Sequence, residues 1–322
     1  MASINELLSP VAEPSSSPEQ SPQAFVGQKP ESLHFTIEFV LDTACPHCYI
    51  GLKNLNAAID AYKLQHPNAT FEVTCSPVIL SPSAGRSVDT KEVYYQTIRG
   101  FAPSTIQDWT RQGQESGINF SWQEGRTGNS RDSHKLLRLA LEATPSTYRS
   151  SSFTRAFGHN RLSTTSSSLV TDVTPVGARG PQTQMQLADT IYREYFENNR
   201  DLSDRSFLLN TGTSLTNIPA EEIQACLESD EWDYAIDRLS DRNKMEFNAV
   251  PVFIIQGRFV AGGWQTPQKL LDIFEHVRAE GPNAPGRILS VPGGGWWMPG
   301  GVFRGANQDA AETGRRSAFG SS

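Results

Sequence analysis

Residues Phe35 to Leu41 alternate apolar with polar positions and close on β-branched and apolar residues, a pattern that predicts a buried strand. The polar turn Asp42-Thr43-Ala44 follows, and Cys45-Pro46-His47-Cys48 then opens a segment of helical spacing that runs to about residue 65. A second strand, Phe71 to Leu80, ends at Pro77, so the first helix lies between two strands as a βαβ unit, which implies a right-handed crossover and a parallel pair. From Thr90 to about Gly117 the spacing is helical, with Val93, Ile98 and Phe101 before an interruption at Pro103 and Ile106 and Trp109 after it. Another helix begins at Asn129–Leu136, with Ser130 or Asp132 as its cap and Leu136, Leu137, Leu139, Ala140 and Leu141 as its packing face. Helical order returns at 185–196 and, after a turn at 198–204, at 219–246. The sheet resumes at Val250–Ile255, turns at Gln256-Gly257 and returns through Arg258–Gly262; Thr266 and Pro267 then cap and open a closing helix over Leu270–Val277.

Two stretches fit neither period. Residues 144–182 are rich in serine and threonine, with no acidic residue between Thr144 and Thr171, and are expected to be a disordered insertion; noncoding sequence translated into the chain is one origin for it. The serine- and proline-rich residues 1–32 and the glycine-rich residues 282–322, which include Trp296-Trp297, are expected to be disordered tails. The resulting plan is an α/β chain with sheet-forming parts at 33–87 and 247–281 and a helical insertion at 88–246.

Composition narrows the function classes. The 322 residues, 37% hydrophobic, suffice for a substantial core, while a net charge of −7 argues against a nucleic-acid or anionic-membrane partner. No stretch approaches the roughly 20 apolar residues of a membrane span, and the acidic N-terminus fits neither a secretory signal nor a transit peptide. A cytoplasmic, reducing location is expected, in which any disulfide is transient and catalytic.

The chemistry then concentrates at the first helix. Pro46 fits the first helical turn, so the amides and dipole there favour a thiolate on Cys45, and Cys48, one turn on, is placed to resolve a mixed disulfide. A protonated His47 would stabilise that thiolate further. Half of a zinc site and a pair of inert core thiols are the competing readings, but Cys75 and Cys226 stand singly and fit apolar faces of a strand and a helix. His134 either faces the dithiol or is a hydrogen-bonded packing residue. A cis bond between Val250 and Pro251 would turn the Val250 backbone toward a substrate near the dithiol.

The segments CPHCYIGL, NSRDSHKL and AVPVFIIQGRFVAGGWQ together resemble the DsbA-like thioredoxin-fold family, in particular its FrnE-type branch, over roughly residues 34–143 and 184–280. The resemblance implies a thioredoxin-like fold interrupted by an all-helical domain. It implies Cys45 as the attacking cysteine, Cys48 as the resolving one, and Val250-Pro251 as a cis-proline dipeptide; Asn129, Asp132 and His134 match the helix-start motif. The expected site is thus Cys45, Cys48 and His47 for catalysis, with Val250, Pro251, Pro46 and His134 binding substrate. The expected activity is thiol–disulfide exchange with a protein or small-molecule thiol, with no tightly bound cofactor, glutathione as a candidate co-substrate and a homodimer as a candidate assembly. Glutathione-dependent transferases of the kappa class and 2-hydroxychromene-2-carboxylate isomerases share the layout and give the alternative activity, although they typically carry serine where this chain has Cys45. A binding module or holdase using the apolar groove around the dithiol is a third, non-enzymatic reading.

Overall fold

The computed structural model describes residues 33–85, 89–142, 179–281 and 284–290. The expected N-terminal tail, nearly all of the 144–182 insertion and the Trp296-Trp297 pair lie outside the described residues. A five-stranded mixed sheet has the order β2-β1-β5-β6-β7. Strand β1 (His34–Leu41) pairs in parallel with β2 (Thr70–Pro77), from His34 opposite Thr70 to Leu41 opposite Pro77, and helix α1 (Pro46–Gln65) makes the crossover. Pro77 is tolerated because β2 is an edge strand. On its other side β1 meets β5 (Val252–Ile255) antiparallel, and β6 (Phe259–Gly262) pairs antiparallel with β5. The hairpin between them turns at Gln256 and Gly257, both at positive φ (53° and 65°), with the Arg258 amide donating to the Ile255 carbonyl at 3.2 Å.

Period two along β1 sorts its side chains. Phe35 and Phe39 share one face. Phe35 packs on Tyr62 of α1 and on Phe274 of α9 (Pro267–Glu280), and Phe39 stacks on Phe253 at 4.8 Å. Thr266 caps α9 through the Lys269 amide, as its sequence predicts.

Between the two parts of the sheet the chain is helical. After a two-residue bridge of β3 (Asp89–Thr90) with β4 (Arg126–Thr127), α2 (Lys91–Val93) widens into a π-helical turn, Tyr94–Ile98, and α3 (Pro103–Glu115) follows. Then come α4 (Arg131–Leu141), α5 (Pro181–Phe196), α6 (Arg205–Leu215), α7 (Ala220–Glu228) and α8 (Asp230–Glu246). One apolar core runs from the sheet into these helices without a gap. None of the described helices is long and apolar enough to cross a membrane.

Three expectations change. Ser130 stands at the start of α4 but its side chain caps nothing; Asn129 Oδ1 takes the Arg131 amide at 2.8 Å instead, because the Asn side chain reaches the amide two residues on. Residues Arg287–Ser290, placed in the C-terminal tail by sequence, form β7 parallel to β6; four residues are too few to show a period amid glycines and prolines. Residues 179–182, assigned to the insertion by sequence, are joined to α4 and begin α5: Arg179 Nε donates to the Leu139 carbonyl (3.2 Å) and the Gly180 amide to that of Ala140 (2.9 Å).

These last bonds bring the end of α4 and the start of α5 together, so the intervening segment leaves and re-enters at one place. Replacing 143–178 by a short Gly/Ser linker is expected to preserve the fold and, by shortening the closed loop, to raise unfolding free energy by about 1–2 kcal/mol. Urea unfolding of the two chains checks this; a large loss of stability would show that the segment contributes to the core.

Candidate active site

The turn before α1 is built around Asp42, whose side chain is buried. Its Oδ1 accepts the Ala44 amide (2.9 Å) and its Oδ2 the Leu80 amide (2.7 Å), while its carbonyl takes the Cys45 amide (3.0 Å) and the Tyr192 hydroxyl (3.0 Å). His134 Nε2 lies 3.5 Å from Oδ1, an ion-pair distance longer than a good hydrogen bond. Burial alone would raise the Asp42 pKa, but His134 and the two amides outweigh it and hold the carboxyl below its usual value. The rest of the turn is fixed as firmly: Thr43 Oγ1 and Ser133 Oγ are hydrogen-bonded at 2.6 Å, and the Tyr95 hydroxyl donates to the Ala44 carbonyl.

Cys45 occupies the N-cap of α1 in extended conformation (φ −99°, ψ 117°), Pro46 is in the first turn, and both cysteines are free thiols. Cys45 is 3% exposed and Cys48 fully buried. Burial pushes the Cys48 thiol well up, and the Cys45 sulfur beside it pushes in the same direction. Cys48 is therefore the partner that keeps its proton, and Cys45, at the positive end of the helix, is the one suited to attack.

His47 does not meet the condition under which it would stabilise a thiolate. It is buried, donates from Nε2 to Gln112 Oε1 (3.2 Å), stands edge-on to Trp109 and stacks on Trp264. Burial lowers its pKa to about 4 against a smaller opposing effect of Gln112, so the imidazole is neutral at neutral pH. His134 is likewise placed beneath the turn, on Asp42, and not on a surface that a substrate could touch.

The Val250–Pro251 peptide bond is cis. The Pro251 carbonyl accepts the Gly263 amide at 2.7 Å, and the proline ring lies against α1 at Gly51, where an added Cβ would come within 3.2 Å of Pro251 Cγ and 3.3 Å of Phe253 Cζ. Asn54 Nδ2 donates to the Gln265 carbonyl (2.9 Å), tying α1 to the loop that carries Trp264. The structure thus brings Cys45, Pro46, His47 and Cys48 together at the start of α1 with Pro251 packed one turn on. Sequence reading missed Asp42, Tyr95, Gln112, Trp109, Tyr192 and Trp264 as parts of the site; only Asp42, in the polar turn three residues before Cys45, carried a local signal. Among the described residues, no group of three or more His, Cys, Asp or Glu is placed to hold a metal ion.

Residues 36–187 match the profile of the DSBA-like thioredoxin domain family. Among solved structures, a probable DsbA oxidoreductase from Streptomyces coelicolor aligns with a TM-score of 0.56 at 18% identity, covering 81% of this chain and 100% of its own. The cytosolic disulfide reductase DsbM from Pseudomonas aeruginosa, solved with GSH, aligns at 0.44 and 15% identity, covering 75% and 98%. A 2-hydroxychromene-2-carboxylate isomerase aligns at 0.43 and 10%, covering 75% and 93%. The first of these likenesses is one of fold. No curated protein matches the sequence.

Two substitutions test the packing. The unfolded chain binds a proton at His47 near pH 6.5 and the folded one only near 4, so stability should fall as pH drops through that window, by on the order of 3 kcal/mol in all. His47→Leu is expected to flatten this slope in urea titrations at successive pH values, and to leave the rate of Cys45 alkylation at pH 7 unchanged. Gly51→Ala requires the buried Pro251 and Phe253 side chains to give by a few tenths of an ångström, and after alanine's helix-propensity gain it should cost a net of about 1 kcal/mol, read from the same unfolding curves.

Proposed function

We propose that this chain, whose residues 36–187 match the DSBA-like thioredoxin domain family, is a thiol–disulfide oxidoreductase acting through Cys45 and Cys48. The observation that supports this most is the asymmetry of the pair: Cys45 caps the helix, while Cys48 lies behind it, fully buried and with its thiol pKa raised.

In the reducing direction, the Cys45 thiolate attacks one sulfur of a substrate disulfide, forming a Cys45–substrate mixed disulfide and releasing the other half as a thiolate. Cys48, losing its proton as it reacts, attacks Cys45 Sγ, releases the second thiolate and leaves a Cys45–Cys48 disulfide. A thiol reductant returns that disulfide to the dithiol. In the oxidising direction the same steps run backwards, and the potential of the pair relative to its partners sets the direction. Pro251, against α1, would line the groove into which the substrate sulfur enters, and the backbone of Val250 would pair with an extended substrate there. With His47 neutral, the helix N-terminus is the source of stabilisation for the attacking sulfur. A cysteine at position 45, where the glutathione transferases and isomerases of this layout typically carry serine, favours exchange over those activities.

The test is equilibration of the purified protein in a glutathione redox buffer, with thiol alkylation and mass spectrometry reporting the Cys45–Cys48 disulfide. A reversible two-electron couple is expected. Cys45→Ser should abolish reaction with a disulfide, and Cys48→Ser should accumulate the mixed disulfide on Cys45. Absence of any disulfide in the wild type, with glutathione bound noncovalently, would transfer the assignment to a transferase or isomerase.

A further inference from the structure

Trp264 stands against the dithiol segment and takes no part in the exchange steps. It follows Gly263, whose amide donates to the carbonyl of the cis-proline, Pro251, at 2.7 Å. Gly263 has φ 73°, a conformation that suits glycine, and the chain after it comes back over the start of α1. There the indole of Trp264 stacks on the ring of His47, between the two cysteines in sequence, with centroids 6.3 Å apart and planes 28° apart.

The frame around this ring is fixed on both sides. Gly263 is held by Pro251, and Gln265 is buried among its own bonds: Nε2 donates to the Gly262 carbonyl (2.7 Å), Oε1 accepts Ser290 Oγ (3.1 Å), and the carbonyl accepts Asn54 Nδ2 of α1 (2.9 Å). Trp264 itself is half-buried, whereas Trp109 and Trp122 are buried. Trp122 gives its Nε1 to Thr110 Oγ1 at 2.9 Å, while Trp264 Nε1 has no hydrogen bond to any described residue. An indole surface and its N–H are thus left open beside the reactive pair.

The wall that this ring extends is uncharged. His47 is neutral, and the influences that set its state are burial and the Gln112 amide, with no ionised side chain among them. Trp109 meets the same imidazole edge-on. A surface of this kind gains by covering an aromatic or aliphatic side chain and offers no countercharge to a charged one. Because the ring is already ordered, the contact costs little conformational entropy.

We propose that Trp264 contacts the substrate and sets its specificity, its indole receiving an uncharged aromatic or aliphatic side chain next to the reacting cysteine of a polypeptide disulfide. The proposal rests on the thiol–disulfide reading and names its substrate class.

The test is single turnover of the reduced full-length protein with two end-blocked tripeptide disulfides, Phe-Cys-Gly and Ser-Cys-Gly. Appearance of the Cys45–Cys48 disulfide is followed against peptide concentration. The half-saturating concentration of the Ser peptide is expected to exceed that of the Phe peptide about 5- to 30-fold, the range of one aromatic contact. Trp264→Ala should bring this ratio close to one, and Trp264→Phe, which keeps a ring, should retain most of it. Absence of a preference in the wild type, or a preference that survives Trp264→Ala, would overturn the assignment. Should Trp264→Ala not fold, Trp264→Gln, which fills part of the space with a polar group, carries the same comparison. Equilibrium dialysis of the two S-methylated peptides against the Cys45→Ser/Cys48→Ser protein, with and without the Trp264 substitution, separates this assignment from the redox one. A Trp264-dependent preference there, when the wild type forms no disulfide, keeps the contact and removes the redox assignment; disulfide exchange without that preference does the reverse.

Discussion

An ionised carboxylate buried at the end of a strand is the constraint around which this site is assembled. Left without partners, such a group would cost several kcal/mol, and Asp42 has partners from three separate parts of the chain. The Ala44 amide comes from its own turn, the Leu80 amide from the segment after β2, and His134 from α4. Each partner constrains the geometry of a different element, so satisfying one side chain aligns the dithiol turn, the segment after β2 and the helical region at once. The helices between β2 and β5 in this sense help to build the dithiol turn: Tyr95, Ser133 and Tyr192 all hydrogen-bond to it.

The electrostatics of the dithiol follow from what surrounds it. Trp109 and Trp264 flank His47, whose burial keeps the imidazole neutral; burial of Cys48, with the Cys45 sulfur beside it, raises the Cys48 thiol. A histidine between the two cysteines therefore does not act here as a nearby cation. It fills an aromatic wall and hands one hydrogen bond to Gln112. What distinguishes the two sulfurs is the burial that raises the Cys48 thiol, together with position, Cys45 being the N-cap and Cys48 lying inside the helix behind Pro46.

How much of this was legible from the sequence depended on how local the cause was. The β1–α1–β2 unit, the hairpin at Gln256-Gly257 and the Thr266-Pro267 start of α9 were readable because their determinants, period and turn chemistry, lie within a few residues. The family resemblance added the cis bond at Val250–Pro251, which no local signal distinguishes from an ordinary strand-opening proline. The neutral state of His47 was not readable, because it depends on Trp109, Gln112 and Trp264, which are remote in sequence. Strand β7 was missed for a related reason: four residues show no period, and their pairing with β6 is decided by the sheet.

The position of the long interruption between α4 and α5 is explained by the bonds on either side of it. Gln184, at the start of α5, accepts the Cys75 amide (2.7 Å) and donates to the carbonyls of Cys75 (3.3 Å) and Leu137 (3.1 Å), so one side chain pins α5 to β2 and to α4 together. The Gly180 amide closes the junction on the Ala140 carbonyl. Because α5 is located by these contacts and not by the length of chain leading to it, Tyr192 reaches the Asp42 carbonyl whatever separates residues 142 and 179. Loop-closure entropy grows only slowly with length. A segment can therefore be added at this junction at small thermodynamic cost, while the same addition in the turn 42–45 or the loop 80–85 would separate Asp42 from the amides that, with His134, hold its pKa down.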